Sequence, residues 1–335
     1  MIDGLIDISQ AVAHLRAGGL VAFPTETVYG LGADALNEAA IRRVFELKGR
    51  PAANPLIVHV ADAWMAREVV AHWPREAQLL ADAFWPGPLS IVLPAGPHIP
   101  KAVTGGGPSV AVRCPNHPTT LILLHEYEGP LVGPSANLSG KISPTSAAHV
   151  REAFSATDVP ILDGGDCEVG IESTVLSLVG GRATILRPGV IGPEQIARVI
   201  GRGVTYEAPI PSAEGAPSPS PGLMPTHYAP AAKAVMVSGE DLPRVAREAT
   251  GQVVALTISD VTLPPPHKCI PMPDTPEDYA RALYTALRMA DKPRTSVIAV
   301  ETPPAGVSDE ERAVWRAVMD RLTRATAPAD TAART

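Results

Sequence analysis

The chain has 335 residues, more than the roughly 100–200 of a usual domain, so we expect two domains. Hydrophobic residues make up 45%, enough for buried cores, and a net charge of −7 disfavours a protein whose main task is to grip duplex phosphate. The three cysteines form no C-x-x-C pair, which excludes the common zinc and redox spacings and is typical of a reducing compartment. Residues 1–9 do not resemble a signal peptide and no apolar run approaches ~20 residues, so we expect a cytoplasmic protein without a membrane contact.

The first 206 residues alternate between short apolar runs and helical patterns, which predicts one large twisted α/β sheet with helices. One helix is predicted to begin after the capping residue Asn37 and to end at Gly49. The sequence around Gly180 and Gly181 predicts an antiparallel hairpin, so the sheet should be mixed. The other predicted helices are 8–17, 64–72, 76–84, 118–126, 145–154 and 194–200. The predicted strands are 20–23, 56–60, 90–93, 110–112, 131–132, 160–162, 173–178 and 183–186.

A proline-rich stretch separates this first domain, residues 1–206, from a second one. Prolines alternate with serine, alanine and glycine over residues 207–231, which is typical of an extended linker. Beyond it, strands 234–237, 253–258 and 297–300 alternate with helices 242–250, 276–290 and 309–324. This order predicts a smaller, Rossmann-like α/β domain over residues 232–325, followed by a frayed tail at 326–335.

Two polar stretches near the N-terminus are candidates for ligand binding. Residues 24–30 bring hydroxyl groups to the end of a strand, the place where open α/β sheets bind ligands. The helix that follows ends in Lys48, Gly49 and Arg50, and Lys48 lies seven positions after Ile41, near the core face. Lysine supplies a point charge and arginine a fork for phosphate oxygens, so this end of the helix suits a phosphate ligand. An ordinary turn and simple complementation of the helix dipole are the alternatives.

Further polar residues follow later strands. Residues 133–137 superficially look like a nucleophile elbow, but Asn137 replaces the second glycine of G-x-S-x-G. We therefore interpret Ser135 as a hydrogen-bonding residue, or as part of a serine turn, rather than as a nucleophile. Arg113 and Arg187 end buried strands and are expected to face a crevice. An acidic cluster fits either a Mg²⁺ contact or a solvated turn, and consists of Asp163, Asp166, Glu168 and Glu172.

Taken together, the motifs identify a family, although each alone does not. The chain contains PTETVYGLG, KGRP, NPL and VHV between Phe23 and Val60, PSAN at 134–137 and IEST at 171–174. It also contains LRPG at 186–189 and SPG…HYAP at 220–230. This combination closely resembles the threonylcarbamoyl-AMP synthases, the YrdC-like family in its longer, two-domain form.

The resemblance implies a reaction in which L-threonine and bicarbonate form a carbamate that attacks the α-phosphorus of ATP. Pyrophosphate leaves, and threonylcarbamoyl-AMP remains. Mg²⁺ would accompany ATP, and its protein ligands stay open. A downstream tRNA threonylcarbamoyl transferase would pass the group to an adenosine of tRNA, and a weak contact with tRNA itself is allowed.

The resemblance also implies site residues, position by position. Lys48 and Arg50 form the K-x-R element and are the expected catalytic residues, whereas Ser135 and Asn137 form the S-x-N element. The residues expected on ATP are Lys48, Arg50, Asn54, Ser109, Ser135, Asn137, Ser143, Arg187 and Tyr228. The residues expected on threonine are Thr27, His59, Arg113 and Ser173. Tyr228 is expected to fold back over the nucleotide, so that the linker acts as a lid.

Two other functions remain as alternatives. One is an RNA-binding or ribosome-associated module. The net charge of −7 and the low share of aromatic residues, 4%, argue against it. The other is a carbamoyl-transfer enzyme of the hydrogenase-maturation type, whose C-x-x-C pairs this chain does not have.

Overall fold

The computed structural model describes residues 4–206 and 227–327. These residues form two compact units, one of residues 4–139 with 143–206 and one of residues 140–142 with 227–327. The boundaries predicted at residues 206 and 232 stay a prediction. Most of the predicted linker, residues 207–226, and the end of the predicted tail, residues 328–335, lie outside the described residues.

The first unit is built on one mixed sheet. Its strands are β1 Leu5–Ile6, β2 Val21–Phe23, β3 Gly30–Asp34, β4 Ile57–His59, β5 Leu89–Pro94, β6 Ser109–Arg113, β7 Leu131–Val132, β8 Ile161–Leu162, β9 Thr174–Ser177, β10 Thr184–Arg187 and β11 Thr205–Tyr206. Its helices are α1 Ile8–Arg16, α2 Glu38–Lys48, α3 Ala63–Val69, α4 Arg75–Phe84, α5 Pro118–Tyr127, α6 Ala147–Ala153 and α7 Pro193–Ile200. Within the described chain the strand order is β1-β8-β2-β3-β7-β4-β6-β5-β9-β10-β11.

The directions of the strand pairs confirm that the sheet is mixed. Strand β4 runs parallel to β6 but antiparallel to β7, and β5 runs parallel to β9 but antiparallel to β6. The predicted hairpin is β9 and β10, which pair antiparallel across Gly180 and Gly181. Both glycines have positive φ angles, of 70° and 71°, which is the conformation that glycine adopts at little cost.

Helix α2 ends where its capping residues predict. The Asn37 side chain accepts hydrogen bonds from the amides of Ala39 and Ala40, both at 3.1 Å. At the other end, Gly49 adopts a left-handed conformation with φ 58° and ψ 36°. This geometry leaves Lys48 at the last helical position with its side chain buried.

Alternating side chains give the two faces of the central strands different neighbours. Val58 and Val112 belong to the main core under the helices. Ile57 and Ala111, on the opposite face, form a separate small cluster with three more apolar residues, Val92, Val175 and Leu186. Because side chains two positions apart share a face, His59 of β4 and Arg113 of β6 lie on the side of this small cluster.

Strand β3 was not predicted, because two of its five residues are glycines. Both glycines are required by packing rather than by backbone conformation. A Cβ atom on Gly30 or Gly32 would lie 2.8 or 2.9 Å from ring atoms of Phe23 on the neighbouring strand. The aromatic ring therefore occupies the space that strand-forming side chains would fill.

The second unit is a small parallel sheet with helices on both faces. Its strands are β12 Lys233–Val237, β13 Gln252–Thr257, β14 Lys268–Pro271 and β15 Thr295–Glu301, in the order β12-β15-β13-β14. Its helices are α8 Leu242–Glu248, α9 Pro276–Ala290 and α10 Asp309–Thr326. All three strand pairs are parallel, as a Rossmann-like unit requires. Strand β14 was missed because it is short, half-exposed and ends in proline.

The predicted fold class, a twisted mixed sheet with helices followed by a smaller α/β unit, is confirmed. Among the helices of residues 4–206 and 227–327, none is both long and apolar enough to cross a membrane.

Candidate functional site

The centre of the predicted threonine side is a buried charge pair. Arg113, at the end of β6, is 4% exposed, and its Nη2 lies 2.7 Å from Oε2 of Glu26, which is 3% exposed. The Nε of Arg113 donates to the carbonyl of Gly87 at 3.2 Å, which fixes the plane of the guanidinium. Glu26 was part of the polar stretch 24–30 but was not predicted as a site residue.

His59 lies beside this pair. It is the register partner of Arg113 on the neighbouring strand, and its ring meets the edge of Phe23 at 5.3 Å between centroids. Burial, with the nearby positive charge of Arg113, lowers the pKa of His59 to about 3. The imidazole is therefore neutral near pH 7, and it can donate one hydrogen bond and accept another but carries no charge.

Thr27 is fully buried in the loop that carries Glu26. Its hydroxyl lies 2.8 Å from that of Thr25, whose oxygen also accepts from the amides of Thr27 and Val28 at 3.1 Å. The loop is tied further by the amide of Val169, which donates to the carbonyl of Glu26 at 2.7 Å. The Thr25 hydroxyl therefore satisfies the backbone amides of its own turn, as the alternative interpretation of the stretch 24–30 predicts. These bonds leave a binding role for Thr27 as a prediction.

Ser173 and Arg187 meet across β9 and β10. The Arg187 guanidinium donates to the carbonyl of Ser173 from Nε at 3.1 Å and from Nη2 at 3.0 Å. Nη2 also lies 3.1 Å from the Ser173 hydroxyl, which is 2.9 Å from that of Ser90. The predicted threonine-side Ser173 and the predicted nucleotide-side Arg187 are thus direct neighbours. Ser90 joins them, and period-two alternation along β5 would have found it.

Lys48, Ser135 and Asn137 are also brought together, but through main-chain atoms. The Lys48 ammonium donates to the carbonyl oxygens of Ser135 and Asn137, both at 2.5 Å. In return, the amide of Ser139 donates to the carbonyl of Lys48 at 2.8 Å. Burial, and secondarily the charge of Arg50, lowers the pKa of Lys48 well below its usual value. Through these three hydrogen bonds, Lys48 holds the loop that carries the S-x-N element.

Arg50 and Asn54 lie in the loop that follows α2. Arg50 is half-buried and donates to the carbonyls of Asn54 at 3.4 Å and Pro55 at 2.9 Å. A Cβ atom on Gly105 would lie 2.5 Å from the carbonyl oxygen of Ala53, so the glycine-rich turn packs closely on this loop. Ser109 begins β6, four residues before Arg113 and on the same face.

Two members of the acidic cluster, Asp163 and Glu172, accept hydrogen bonds from neighbouring residues. The Asp163 carboxylate accepts from the Tyr29 hydroxyl and from the amide of Gly165, both at 3.0 Å. Glu172 accepts from the hydroxyl of Ser143 at 2.6 Å, and both residues are buried. In the part of the chain that the structure describes, no three such side chains form a group that could hold a metal ion. The contact with the amide of Gly165, two residues on, favours the interpretation of Asp163 as a turn residue.

Tyr228 belongs to the second unit. Its ring is buried, stacks on that of Tyr284 at 5.6 Å and lies 5.7 Å from the Arg321 guanidinium carbon. Its φ angle of 59° is unusual for a residue with a side chain. The role predicted for Tyr228 over the nucleotide stays a prediction.

The first unit buries several charged side chains. Lys48, Arg113 and Arg187 are each at most 4% exposed, and the carboxylates of Glu26 and Glu172 are buried as well. Arginine keeps its charge when buried, so Arg113 and Arg187 favour a small anionic ligand, for which water competes poorly.

Comparison with known proteins identifies the family of this chain. The Sua5/YciO/YrdC family model, described as "Telomere recombination", matches residues 13–189, more than half of the chain. The model described as "Threonylcarbamoyl-AMP synthase, C-terminal domain" matches residues 191–327. A threonylcarbamoyl-AMP synthase of Pyrococcus abyssi is 41% identical over 95% of this chain and 93% of its own length. The chain belongs to the threonylcarbamoyl-AMP synthase family.

Other relatives cover the same length. A threonylcarbamoyl-AMP synthase of Bacillus subtilis is 40% identical over 95% of this chain and 92% of its own. The crystal structure of P. abyssi Sua5 complexed with L-threonine matches with a TM-score of 0.86 at 41% identity, over 95% of this chain and 94% of that one. The family inferred from the motifs is thus confirmed, and these relatives favour neither the RNA-binding nor the carbamoyl-transfer alternative.

Proposed function

We propose that this protein is an L-threonylcarbamoyladenylate synthase, a nucleotidyltransferase that uses L-threonine, bicarbonate and ATP. The proposal is supported by two pairs of buried polar residues, His59 beside Arg113 and Ser173 beside Arg187, in a chain that matches both synthase family models. A similar protein from P. abyssi, with a TM-score of 0.86, has been solved with L-threonine.

In the proposed reaction, the threonine nitrogen and bicarbonate form a carbamate and release water. A carbamate oxygen then attacks the α-phosphorus of ATP, the bond to the β-phosphate oxygen breaks, and pyrophosphate leaves. The attacking group is already an anion, so no serine or cysteine nucleophile is needed. Cys114 and Cys167 fit this view, because burial raises the pKa of each thiol to about 12.

The chain's own residues would position the two substrates and neutralise their charges. The guanidinium of Arg113 would bind the threonine carboxylate through two parallel hydrogen bonds, and Thr27, His59 and Ser173 would surround the substrate. The nucleotide side would consist of Lys48, Arg50, Asn54, Ser109, Ser135, Asn137, Ser143, Arg187 and Tyr228. Mg²⁺ would enter as part of the substrate MgATP. Holding two reactants in place can supply up to ~7–11 kcal/mol of the barrier.

We also propose that the product passes to a tRNA threonylcarbamoyl transferase. Threonylcarbamoyl-AMP is a mixed anhydride and hydrolyses readily, so direct transfer would protect it, with a weak contact to tRNA as an aid. Because its product would serve tRNA modification, we propose that the protein works in the cytoplasm.

The deciding experiment measures pyrophosphate release with ATP, Mg²⁺, bicarbonate and L-threonine, and identifies the product by mass. We expect no release without threonine or bicarbonate, and much slower release with L-serine. The variant Arg113→Ala should lose the threonine-dependent release of pyrophosphate, whereas the matched variant Arg202→Ala, whose side chain is 32% exposed, should keep it. Equal rates with serine, or without any amino acid, would contradict the substrate assignment.

A further inference from the structure

Glu26 is a buried carboxylate that forms an ion pair with Arg113. Its Oε2 faces Arg113 at 2.7 Å, but its Oε1 is shielded from solvent and has no hydrogen-bond partner within the described residues. The loop around it is rigid, because Val169 and Thr25 hold the neighbouring backbone. A buried acceptor without a donor costs about 1–3 kcal/mol, and more when it is charged, so Oε1 should gain stability from an incoming donor.

The charge balance around Glu26 limits what that donor can be. With no ligand bound, Glu26 and Arg113 neutralise each other, and His59 beside them is neutral near pH 7. If a ligand carboxylate binds Arg113, then Arg113, Glu26 and the ligand together carry a net charge of −1 at a buried site. A hydroxyl donor does not remove this charge, whereas an ammonium group does.

We propose that Glu26 receives the α-ammonium group of the amino-acid substrate while Arg113 receives its carboxylate. The Glu26–Arg113 pair is then a binding site for a zwitterion, since the two charged groups of an α-amino acid are attached to the same carbon atom. This inference rests on the function proposed above and adds a specificity residue to it. It explains why the loop places a carboxylate beside the cation that is needed for the substrate.

The simpler possibility is that Glu26 only holds Arg113 in position. The two roles differ in their effect on a ligand that lacks the ammonium group. 3-Hydroxybutanoate keeps the carboxylate and the β-hydroxyl group of threonine but has no amine. Loss of a purely positioning residue would weaken both ligands equally, whereas loss of an ammonium acceptor would weaken threonine selectively.

The test is calorimetric binding of L-threonine and 3-hydroxybutanoate to the full-length wild-type protein and to Glu26→Gln. We expect the wild type to prefer threonine at least tenfold. In Glu26→Gln, threonine affinity should fall at least tenfold, while 3-hydroxybutanoate should bind as before or more tightly, because Arg113 loses a competing carboxylate. The control Glu76→Gln removes a carboxylate from the surface pair with Arg202 and should leave the ratio unchanged.

Several outcomes would overturn the inference. They are equal losses for both ligands, unchanged threonine affinity in Glu26→Gln, and a wild type that binds 3-hydroxybutanoate as tightly as threonine. The last comparison needs no variant, so it decides the matter even if Glu26→Gln does not fold. A wild type that binds no threonine at all would refute the proposed function as well, which distinguishes the two failures.

Discussion

Replacing Gly133 with alanine should damage both the stability of the first unit and its threonine site. Gly133 follows β7, and its amide donates to the carbonyl of Ile57 at 3.0 Å. A Cβ atom at this position would lie 2.6 Å from Cζ of Phe23, and 2.7 and 2.8 Å from Nδ1 and Cε1 of His59. Both rings are buried and in contact with each other, so neither can turn away freely.

The size of the effect follows from these distances. Ordinary carbon contacts begin near 3.4 Å, so the rings must retreat by about 0.6–0.8 Å, the difference from 2.8 and 2.6 Å. Overpacking of this kind costs about 1–3 kcal/mol of unfolding free energy. Displacing a predicted substrate-binding residue by most of an ångström should weaken threonine affinity by about 10- to 100-fold.

The assay is urea unfolding followed by tryptophan fluorescence, together with calorimetric threonine binding. Three of the four tryptophans, Trp64, Trp73 and Trp85, lie in the first unit, so the signal reports mainly on that unit. The matched control is Gly203→Ala, because a Cβ atom there has no neighbour within 4 Å. If Gly133→Ala is as stable as the control and binds threonine equally well, the close packing of the Phe23 and His59 rings against Gly133 is refuted.

Two further predictions concern buried cations and a buried histidine. Lys48→Ala and Arg50→Ala should each slow pyrophosphate release by ~10²–10³. Lys48→Ala should lower the melting temperature more than Arg50→Ala, because the Lys48 side chain is buried and its loss takes a donor from the carbonyls of Ser135 and Asn137, at about 1–3 kcal/mol each, whereas Arg50 is only half-buried. Equal melting temperatures would contradict the structural role of Lys48. The fold lowers the pKa of His59 from 6.5 to about 3, so its contribution to stability is complete above about pH 6.5 and is lost as the pH falls toward 3. Between pH 7 and 5 the wild type should lose about 2 kcal/mol more than His59→Gln in urea titrations, and parallel curves would exclude a neutral buried imidazole.

Local signals in the sequence predicted local structure well. Helix α2 begins and ends as the Asn37 cap and the left-handed Gly49 indicate, and the Gly180–Gly181 turn joins an antiparallel hairpin. These features depend on a few neighbouring residues, whose conformations are restricted by sterics and by hydrogen bonds within one turn. Strand β3 was missed because glycine has a low preference for strands. Its glycines are needed to make room for the ring of Phe23, which is a contact between strands.

Contacts between distant segments were harder to predict. Arg113 and Arg187 were expected to face a crevice because they end buried strands, and the structure places both on buried polar partners. The partner Glu26 carried no signal of its own, since a carboxylate in a turn is usually solvated. Only the tertiary fold brings Glu26 next to Arg113. The role proposed for Glu26 therefore rests on its burial and on its distance from Arg113, which the sequence alone does not give.

The position of strand β8 has a consequence for the order in which the chain can fold during synthesis. Strand β1 pairs with β8, and β8 pairs in turn with β2, although residues 161–162 are made long after residues 5–23. Strand β1 therefore lacks a partner until β8 has been made, whereas β2 can already pair with β3 on its other side. Until residue 162 has emerged, β1 lacks this neighbour, and the nascent chain exposes an unpaired sheet edge at its N-terminus, where a chaperone or another copy could bind.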